Sequence, residues 1–274
     1  MSRFLLAQVS DMHIKEGGKL SYRVVDTQAC LERCVEQLLH LPQAPDAVLF
    51  TGDLTDFGKA GEYANLRSIV GGLPMPLYFM PGNHDDPAAL RAAFPDHPYL
   101  HGSERVDYVI DEFPVRIVAL DSTVPRESGG RLHDGQLRWL DETLAAAPAR
   151  PTIVALHHPP FATGIGHMDR IGLANAAEFE RVIAGHPHVE RVIAGHLHRT
   201  IVTRFGGTIA STCPSPAHQV ALDLADDAPS RFLMEPPAFQ LHLWRAGAGL
   251  VSHTSAIGEF AGPYPFYEDG ALID

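Results

Sequence analysis

The stretch Phe4-Leu-Leu-Ala-Gln-Val-Ser-Asp-Met-His13 places an apolar run directly before an aspartate and a histidine. A short apolar run that ends at polar residues is typical of a buried strand. Five further runs of this kind recur along the chain, and amphipathic segments with helical spacing lie between them. Alternation of buried strands and helices predicts an α/β protein with a mostly parallel sheet.

The predicted elements follow one another in a regular order. The strands are Phe4 to Val9, Ala47 to Phe50, Pro76 to Met80, Val115 to Leu120, Thr152 to Leu156 and Arg191 to Ala194. The helices are Thr27 to His40, Glu62 to Val70, Asp134 to Ala146 with Asp134 as its cap, and Ala176 to Ala184. From about Arg199 the pattern changes to strands without helices, among them Thr208 to Thr212 and a hairpin of Phe239 to Trp244 with Gly249 to Thr254.

The end of the chain differs in composition from the rest. The segment Asp226 to Pro237 is rich in proline and acidic residues, which favours a loop that serves as a lid or a subunit contact. The tail from Gly262 has two prolines within four residues and is not expected to be helical. Its aromatic side chains need a surface to bury against, and another subunit would supply one.

The overall composition excludes several classes of protein. The 274 residues are 45% hydrophobic and 20% charged, which are ordinary values for a globular chain. No apolar run approaches the roughly 18 residues that span a bilayer, and the opening run is too short for a secretion signal. The net charge of -12 argues against long nucleic acids as partners, because their binders usually carry a basic face. We therefore expect a soluble, cytoplasmic protein with no membrane partner.

Polar side chains follow five of the six predicted strands, at the point where each strand ends. They are Asp11 and His13, Gly52-Asp53, Gly82-Asn83-His84-Asp85, His157-His158, and His196 with His198. In open α/β sheets, ligands bind outside the carboxyl ends of the strands, so these segments should converge on one edge. Any one segment alone fits an ordinary turn, whereas the five together favour a functional site.

Two near-identical octapeptides begin ten residues apart, and they cannot both form the same structural element. The first, Arg181-Val-Ile-Ala-Gly-His-Pro-His188, continues a helical stripe that ends at Gly185. The second, Arg191-Val-Ile-Ala-Gly-His-Leu-His198, forms a strand that leads into Gly195. The histidines of the first copy are therefore expected at the surface, and those of the second copy form the functional pair.

The predicted donors are carboxylates, imidazoles and an amide oxygen, without thiolate. This set suits Mn, Fe, Zn or Co rather than a structural zinc. Three cysteines without a CxxC pair also provide no disulfide framework, whereas 16 histidines are an unusual number. Seven ligands are too many for one ion. Two ions about 3.5–4 Å apart that share one carboxylate would use them all, in the arrangement that supports in-line phosphoryl displacement.

The five blocks together resemble those of the calcineurin-like metallophosphoesterase superfamily. Its pattern of Asp-x-His, Gly-Asp, Gly-Asn-His-Asp/Glu, a His block and Gly-His-x-His is present in order over about residues 4 to 200. The wider pattern is similar to the bacterial class III cyclic-nucleotide phosphodiesterases. It is especially similar to their glycerophosphodiesterase branch, through His218-Gln219 and Gly262-Pro263.

The resemblance implies a role for each site residue. One ion would be held by Asp11, His13, Asp53 and His198, and the other by Asp53, Asn83, His157 and His196, with Asp53 bridging. A hydroxide between the ions would attack phosphorus in line with the leaving oxygen. His84 would act on the phosphoryl or leaving oxygen as a catalytic residue, with Asp85 orienting its ring. Asn83, His84 and His218 are the expected substrate contacts, and His158 is expected beside the ligands rather than among them.

The resemblance also implies an architecture. We expect a four-layer αββα sandwich of two mixed sheets flanked by helices. Residues 1–215 would form the catalytic core, and residues 216–274 would supply strands that complete the second sheet, with a tail that forms a cap or oligomer contacts. Relatives in this branch form dimers and assemblies of dimers, so a homo-oligomer is expected.

The expected function is hydrolysis of small phosphodiesters, either 3',5'-cyclic nucleotides or glycerophosphodiesters, by a dinuclear metal-dependent enzyme. A phosphomonoesterase or phosphonate monoester hydrolase would use the same metal core. However, monoesterases often place extra cations around phosphate, and the five blocks contain no Arg or Lys. A third alternative, a non-catalytic scaffold, typically lacks part of the ligand set, which is complete here.

Overall fold

The apolar runs of the sequence form the strands of two large sheets in the computed structural model, which describes residues 2–273. All six predicted runs are strands. The strands are β1 Arg3–Val9, β2 Ala47–Thr51, β3 Leu77–Met80, β4 Tyr108–Ile110, β5 Arg116–Leu120, β6 Thr152–Leu156, β7 Val189–Ala194, β8 Val202–Phe205, β9 Thr208–Thr212, β10 Gln219–Val220, β11 Phe232–Leu233, β12 Ala238–Arg245, β13 Gly249–Ala256, β14 Tyr267–Glu268 and β15 Ala271–Leu272.

The four predicted helices form, and within residues 2–273 two short α-helices and a 3₁₀ helix, Pro98–His101, join them. The α-helices are α1 Thr27–Leu39, α2 Ala60–Val70, α3 Pro87–Ala93, α4 Asp134–Ala145, α5 Gly166–Asp169 and α6 Ala176–Ala184. The cap of α4 is His133 rather than the predicted Asp134, because the side chain of Gln136 accepts a hydrogen bond from the His133 backbone N–H. The unpredicted α3 has proline at its first position, and the Asp86 carboxylate accepts from two backbone N–H groups of its first turn.

Both large sheets are mixed. The first has the strand order β13-β12-β1-β2-β3, with β1, β2 and β3 parallel and β12 and β13 antiparallel. The second has the order β4-β5-β6-β7-β9-β8, with parallel strands in its centre and an antiparallel strand at each edge.

Alternate residues of β6 show how the layers stack. Ile153 belongs to a buried cluster that it shares with Phe50 of the first sheet. Its neighbour Val154 belongs to a second cluster with Leu140 of α4 and Phe179 of α6. Because successive side chains of a strand point to opposite faces, the second sheet lies between the first sheet and these helices. The cluster that contains Phe50 also includes side chains of α1 and α2, which therefore pack with the first sheet. The predicted four-layer αββα sandwich is confirmed.

The C-terminal hairpin joins a different sheet from the one expected. β12 pairs antiparallel with β1, from Arg3↔Arg245 to Gln8↔Gln240, and β13 forms the outer edge. The expectation that these strands complete the second sheet is therefore wrong. β2 pairs with only one side of β1, which leaves the other side free for β12. Alternating hydrophobicity identifies a strand but carries no information about its neighbour. The proposed division at residue 215 stays a prediction.

The tail beyond β13 contains no helix within residues 2–273, as its prolines predict. Its aromatic side chains Phe260, Tyr264 and Phe266 are 68%, 75% and 80% exposed. These rings would become buried in the expected homo-oligomer, which stays a prediction. Across the described part of the chain, no helix combines the length and apolar character needed to cross a membrane.

Candidate metal centre

The carboxyl ends of β1, β2, β6 and β7, together with the loop after β3, bring the predicted ligands together. His13 Nε2 lies 3.1 Å from His198 Nε2 and 3.5 Å from Asp53 Oδ2. On the other side of Asp53, His157 Nε2 lies 3.4 Å from Asp53 Oδ1 and 3.2 Å from Asn83 Oδ1. One carboxylate therefore faces both groups of donors with different oxygens, as a bridging ligand would.

Asp11 and His196 complete the two groups. Asp11 Oδ1 lies 3.6 Å from His198 Nε2, and the same carboxylate accepts from the His196 backbone N–H. His196 Nε2 is buried and has no hydrogen-bond partner among the described residues. A buried polar atom without a partner is unfavourable unless a ligand satisfies it. All seven predicted ligands thus lie around one centre.

The orientation of the histidine rings fits metal binding. His157 Nδ1 lies 2.9 Å from the carbonyl oxygen of Thr51, and His198 Nδ1 lies 2.9 Å from that of His218. Each ring therefore has its outer nitrogen fixed on the backbone and its Nε2 directed at the centre. Metal-ligating histidines usually hold their other ring nitrogen in this way.

The separations between donors also fit shared ions. Nitrogen and oxygen ligands that each lie about 2.0–2.2 Å from one ion are about 3–3.5 Å from one another. The donor pairs in the centre are 3.1–3.6 Å apart. The residues present therefore fit the divalent ions that the donor set suggests.

The ionisation states of Asp53, His196 and His198 suit cations, whereas the pKa values of Asp11, His13 and His157 are raised. Burial alone would raise the pKa of Asp53, but the facing imidazoles of His157 and His84 hold it well below its usual range. Burial lowers the pKa of His198 to about 3 and that of His196 well below its ordinary value. Burial alone would also lower the pKa of His157, but the Asp53 carboxylate raises it to about 9. Because ligands must be ionised carboxylates or neutral imidazoles, His157 must release a proton when an ion binds.

Five of the seven predicted ligands have a left-handed backbone. The φ angle is 59° at Asp11, 47° at His13, 48° at Asp53, 69° at His196 and 52° at His198. A non-glycine residue in this region costs of order 1–3 kcal/mol and persists only where the surrounding structure holds it. The chain turns sharply just after β1, β2 and β7, and these turns direct the donors toward the centre.

Two glycines leave space for the ligand rings. Gly52 has a φ of 96°, and a Cβ atom there would overlap the ring of His157. A Cβ atom at Gly82 would overlap both His157 and Asp53. The glycines of the Gly-Asp and Gly-Asn-His-Asp blocks are therefore required by close packing at the centre.

Asp56 is a site residue that the sequence analysis did not identify. Its Oδ1 lies 3.3 Å from His13 Nδ1, and its Oδ2 accepts from Lys15 Nζ at 2.8 Å. Its backbone carbonyl lies 2.9 Å from His84 Nδ1. The sequence feature that indicates Asp56 is its position three residues after Asp53, in the polar segment that follows β2.

Asp85 does not orient the ring of His84, contrary to the prediction. Its carboxylate accepts hydrogen bonds from the backbone N–H groups of Leu54, Thr55 and Gly82, and from the hydroxyl groups of Thr55 and Tyr63. With its acceptor sites used in this way, it joins the loop after β2 to the loop after β3. Asp56, and not Asp85, contacts the His84 ring.

Replacing Asp85 by asparagine is expected to destabilise the protein by about 3 kcal/mol, because hydrogen bonds to a charged group contribute about 1.5–3 kcal/mol. An amide NH₂ would face backbone donors in place of one carboxylate oxygen. Urea unfolding of the metal-free protein measures the loss. Asp96→Asn is the matched control, since Asp96 forms an exposed pair with Arg67, worth at most about 1 kcal/mol. Equal effects of the two substitutions would contradict this assignment.

His158 lies beside the ligands, but both of its ring nitrogens are already engaged. Nδ1 lies 2.8 Å from Ser122 Oγ, and Nε2 lies 3.2 Å from the carbonyl oxygen of Ser128. Burial lowers the pKa of His158 to about 3. These contacts fit a structural residue next to the ligands, which is the role expected from the sequence.

A cavity of about 390 Å³ opens onto the centre. Five of the predicted ligands and His84 line it, and the other lining residues include Tyr22, His167, Met168, Ile171, His218 and Phe232. His218 is only 3% exposed, and its ring centroid lies 4.6 Å from that of His198. Its predicted contact with substrate stays a prediction. Phe232 brings the Asp226 to Pro237 segment to the cavity, where its ring centroid lies 5.1 Å from that of His218.

A second cleft, of about 550 Å³, adjoins the first at His84. Phe57, Pro125 and Arg126 line it, and Asn83, His84 and Ser128 are shared with the first cavity. The two spaces therefore meet at the predicted phosphate-binding residues.

The αββα sandwich and the two adjoining donor groups at its strand ends define a metal-dependent phosphoesterase. The family model for calcineurin-like phosphoesterases matches residues 4–200. The chain belongs to this family.

Individual proteins are also similar to this chain in sequence or in fold. The chain is 42% identical over 275 residues to a probable glycerophosphodiester phosphodiesterase of Arcobacter nitrofigilis, covering 98% of this chain and 100% of the relative. It is 38% identical over 221 residues to a probable cyclic nucleotide phosphodiesterase of Synechococcus sp., covering 78% of this chain and 81% of the relative. Among solved structures, a dimetal phosphatase from Danio rerio shares the fold with a TM-score of 0.65 and 15% identity, over 94% of this chain and 100% of the other.

Proposed function

We propose that the protein hydrolyses small phosphodiesters with two divalent transition-metal ions, drawn from Mn, Fe, Zn and Co. The observation that carries the proposal is the complete set of donors around Asp53, whose two oxygens face different histidines. When bound, such ions stabilise charge on the phosphoryl oxygens and lower the pKa of a bound water to about 7. The phosphodiesterase names of its relatives support the choice of reaction.

The proposed ligand sets follow the two groups of contacts. Asp11, His13, Asp53 and His198 hold one ion. Asp53, Asn83, His157 and His196 hold the other. This division agrees with the close approach of His13 to His198 and of His157 to Asn83.

His84 is proposed to act on the substrate rather than on the metals. With Nδ1 held by the Asp56 carbonyl, the ring has Nε2 left for the phosphoryl or leaving oxygen. The His84 backbone N–H donates to Asp53 Oδ1 at 3.0 Å, which fixes the residue next to the bridging carboxylate. A protonated ring in this place can give a proton to the leaving alcohol.

The two spaces that adjoin at His84 favour an acyclic diester. Such a substrate has two separate alcohol arms, and each arm has a space of its own, whereas a cyclic diester has both ester oxygens on one group. Glycerophosphodiesters are therefore the preferred substrate class, in agreement with the name of the relative that matches over its full length. Cyclic nucleotides are the second candidate, which the Synechococcus relative supports.

Three further proposals concern the oligomeric state of the protein, its location in the cell and a cap over the cavity. We propose a homo-oligomer in which the exposed aromatic tail is buried, and a cytoplasmic location, as the composition predicts. Segment 226–237 is proposed as a cap, since Ser230, Arg231 and Phe232 line the cavity.

The test compares two chromogenic substrates. The metal-stripped protein reconstituted with Mn is expected to cleave bis(p-nitrophenyl) phosphate with a higher kcat/KM than p-nitrophenyl phosphate. The reason is that few cations line the site to offset the extra charge of a monoester. Glycerophosphoethanolamine is then expected to be a better substrate than cyclic AMP. Faster cleavage of the monoester would move the protein to the phosphatases, and a protein that binds metal yet cleaves neither substrate would contradict the proposal.

A further inference from the structure

His167 is a cavity residue that belongs to neither group of metal donors. It lies on α5 and lines the cavity that opens onto the centre. Both of its ring nitrogens are enclosed, and neither has a hydrogen-bond partner among the described residues. An enclosed imidazole in this state is unfavourable, so its presence requires an explanation.

The surroundings of His167 hold its backbone in place and offer its ring no partner. The Asp169 carboxylate, two residues further along the chain, accepts from the Thr163 backbone and hydroxyl groups at 2.7 Å and from the Gly164 backbone at 3.0 Å, so it is already used. Met168 is packed in a buried cluster with Val220. The short helix is thus fixed on both sides, and His167 is held at the cavity rather than paired within the protein.

The cavity around His167 has the composition of a small-molecule site. Met168, Ile171 and Val220 provide apolar surface. Among the polar residues of the same cavity, His167 and the Nδ1 atom of His218 differ from the others in having ring nitrogens without a hydrogen-bond partner among residues 2–273. Apolar walls with a few placed polar groups are typical of pockets that bind and orient an organic ligand.

A hydroxyl group can satisfy the hydrogen-bonding capacity of these ring nitrogens. A neutral imidazole offers one donor and one acceptor, and a hydroxyl group can both donate and accept. We propose that His167 is a specificity-determining residue that hydrogen-bonds a hydroxyl group on the alcohol arm of the diester. This inference rests on the proposed function, because it requires a diester arm in the cavity.

The experiment uses two matched substrates, glyceryl p-nitrophenyl phosphate and propyl p-nitrophenyl phosphate. They have the same leaving group and differ only in the two hydroxyl groups of the retained arm. The Mn-loaded wild-type protein is expected to prefer the glyceryl diester. His167→Phe, which keeps a ring but removes its nitrogens, is expected to lower kcat/KM for the glyceryl diester about 10- to 100-fold. The value for the propyl diester is expected to change less than about threefold.

A binding measurement gives a second readout. Titration calorimetry of the metal-loaded protein with glycerol 3-phosphate and propyl phosphate is expected to show weaker binding of only the glycerol compound to His167→Phe. His167→Leu repeats both measurements with a smaller side chain. His253→Phe, at an exposed position on β13, is the control and should leave the preference unchanged.

The outcomes separate this inference from the proposed function. If the wild-type protein cleaves both diesters without preference, or if His167→Phe changes both values equally, the role of His167 is refuted while the phosphodiesterase function stands. If the metal-loaded wild-type protein cleaves neither diester, the proposed function fails and the role of His167 fails with it.

Discussion

Asp53→Asn is expected to lower kcat/KM for a phosphodiester by about 10³-fold or more, and to reduce bound metal from two ions to one or none. Asp53 is the residue whose two oxygens approach both groups of donors, with Oδ1 near His157 and Oδ2 near His13. An asparagine keeps the volume but has one oxygen and no charge. The metal ions are worth several kcal/mol in charge stabilisation, and each 1.36 kcal/mol is tenfold in rate.

Metal content by mass spectrometry and steady-state kinetics measure the two effects on the same preparation. Asp141→Asn is the matched control, because Asp141 lies at the surface and the one hydrogen-bond partner of its side chain in the described structure is His186, at 2.7 Å. The control should bind two ions and retain full activity. An Asp53→Asn protein that binds two ions and loses less than tenfold in rate would contradict the bridging role.

The positions of the ligands could be predicted because each depends on a local pattern. A short apolar run followed by Asp11 and His13, or by Asp53, predicts a strand and a donor at its end. Parallel strands then bring those ends to one edge without further information. The same reasoning distinguished His196 from His186, since only the former follows a strand.

Other features could not be predicted because they depend on contacts between distant segments. The sequence does not show that β12 pairs with β1, since its pattern fits either sheet. Nor does it show the direction of a side chain within a turn. Asp85 follows His84 directly, yet its carboxylate points to Leu54 and Thr55, while Asp56 from another loop holds the His84 ring. The unpaired ring of His167 likewise becomes visible only when its neighbours are in place.

His84→Ala is expected to lower kcat by about 10²–10⁴-fold while the metal content stays unchanged. The ring has Nδ1 engaged by the Asp56 carbonyl and lies 4.6 Å, between centroids, from the ring of His13. It is therefore next to the metal donors, and its position would also allow it to be a ligand. Measuring bound metal in the variant separates the two roles, because loss of an ion would contradict a role on the substrate.

The leaving group shows which oxygen His84 serves. An alkyl alcohol is a poor leaving group unless it is protonated, whereas p-nitrophenolate leaves readily without a proton. If His84 donates that proton, the His84→Ala variant should lose more activity on glycerophosphoethanolamine than on bis(p-nitrophenyl) phosphate. Equal losses on the two substrates would assign His84 to the phosphoryl oxygens alone. His101→Ala, at an exposed histidine, is the control and should leave both rates unchanged.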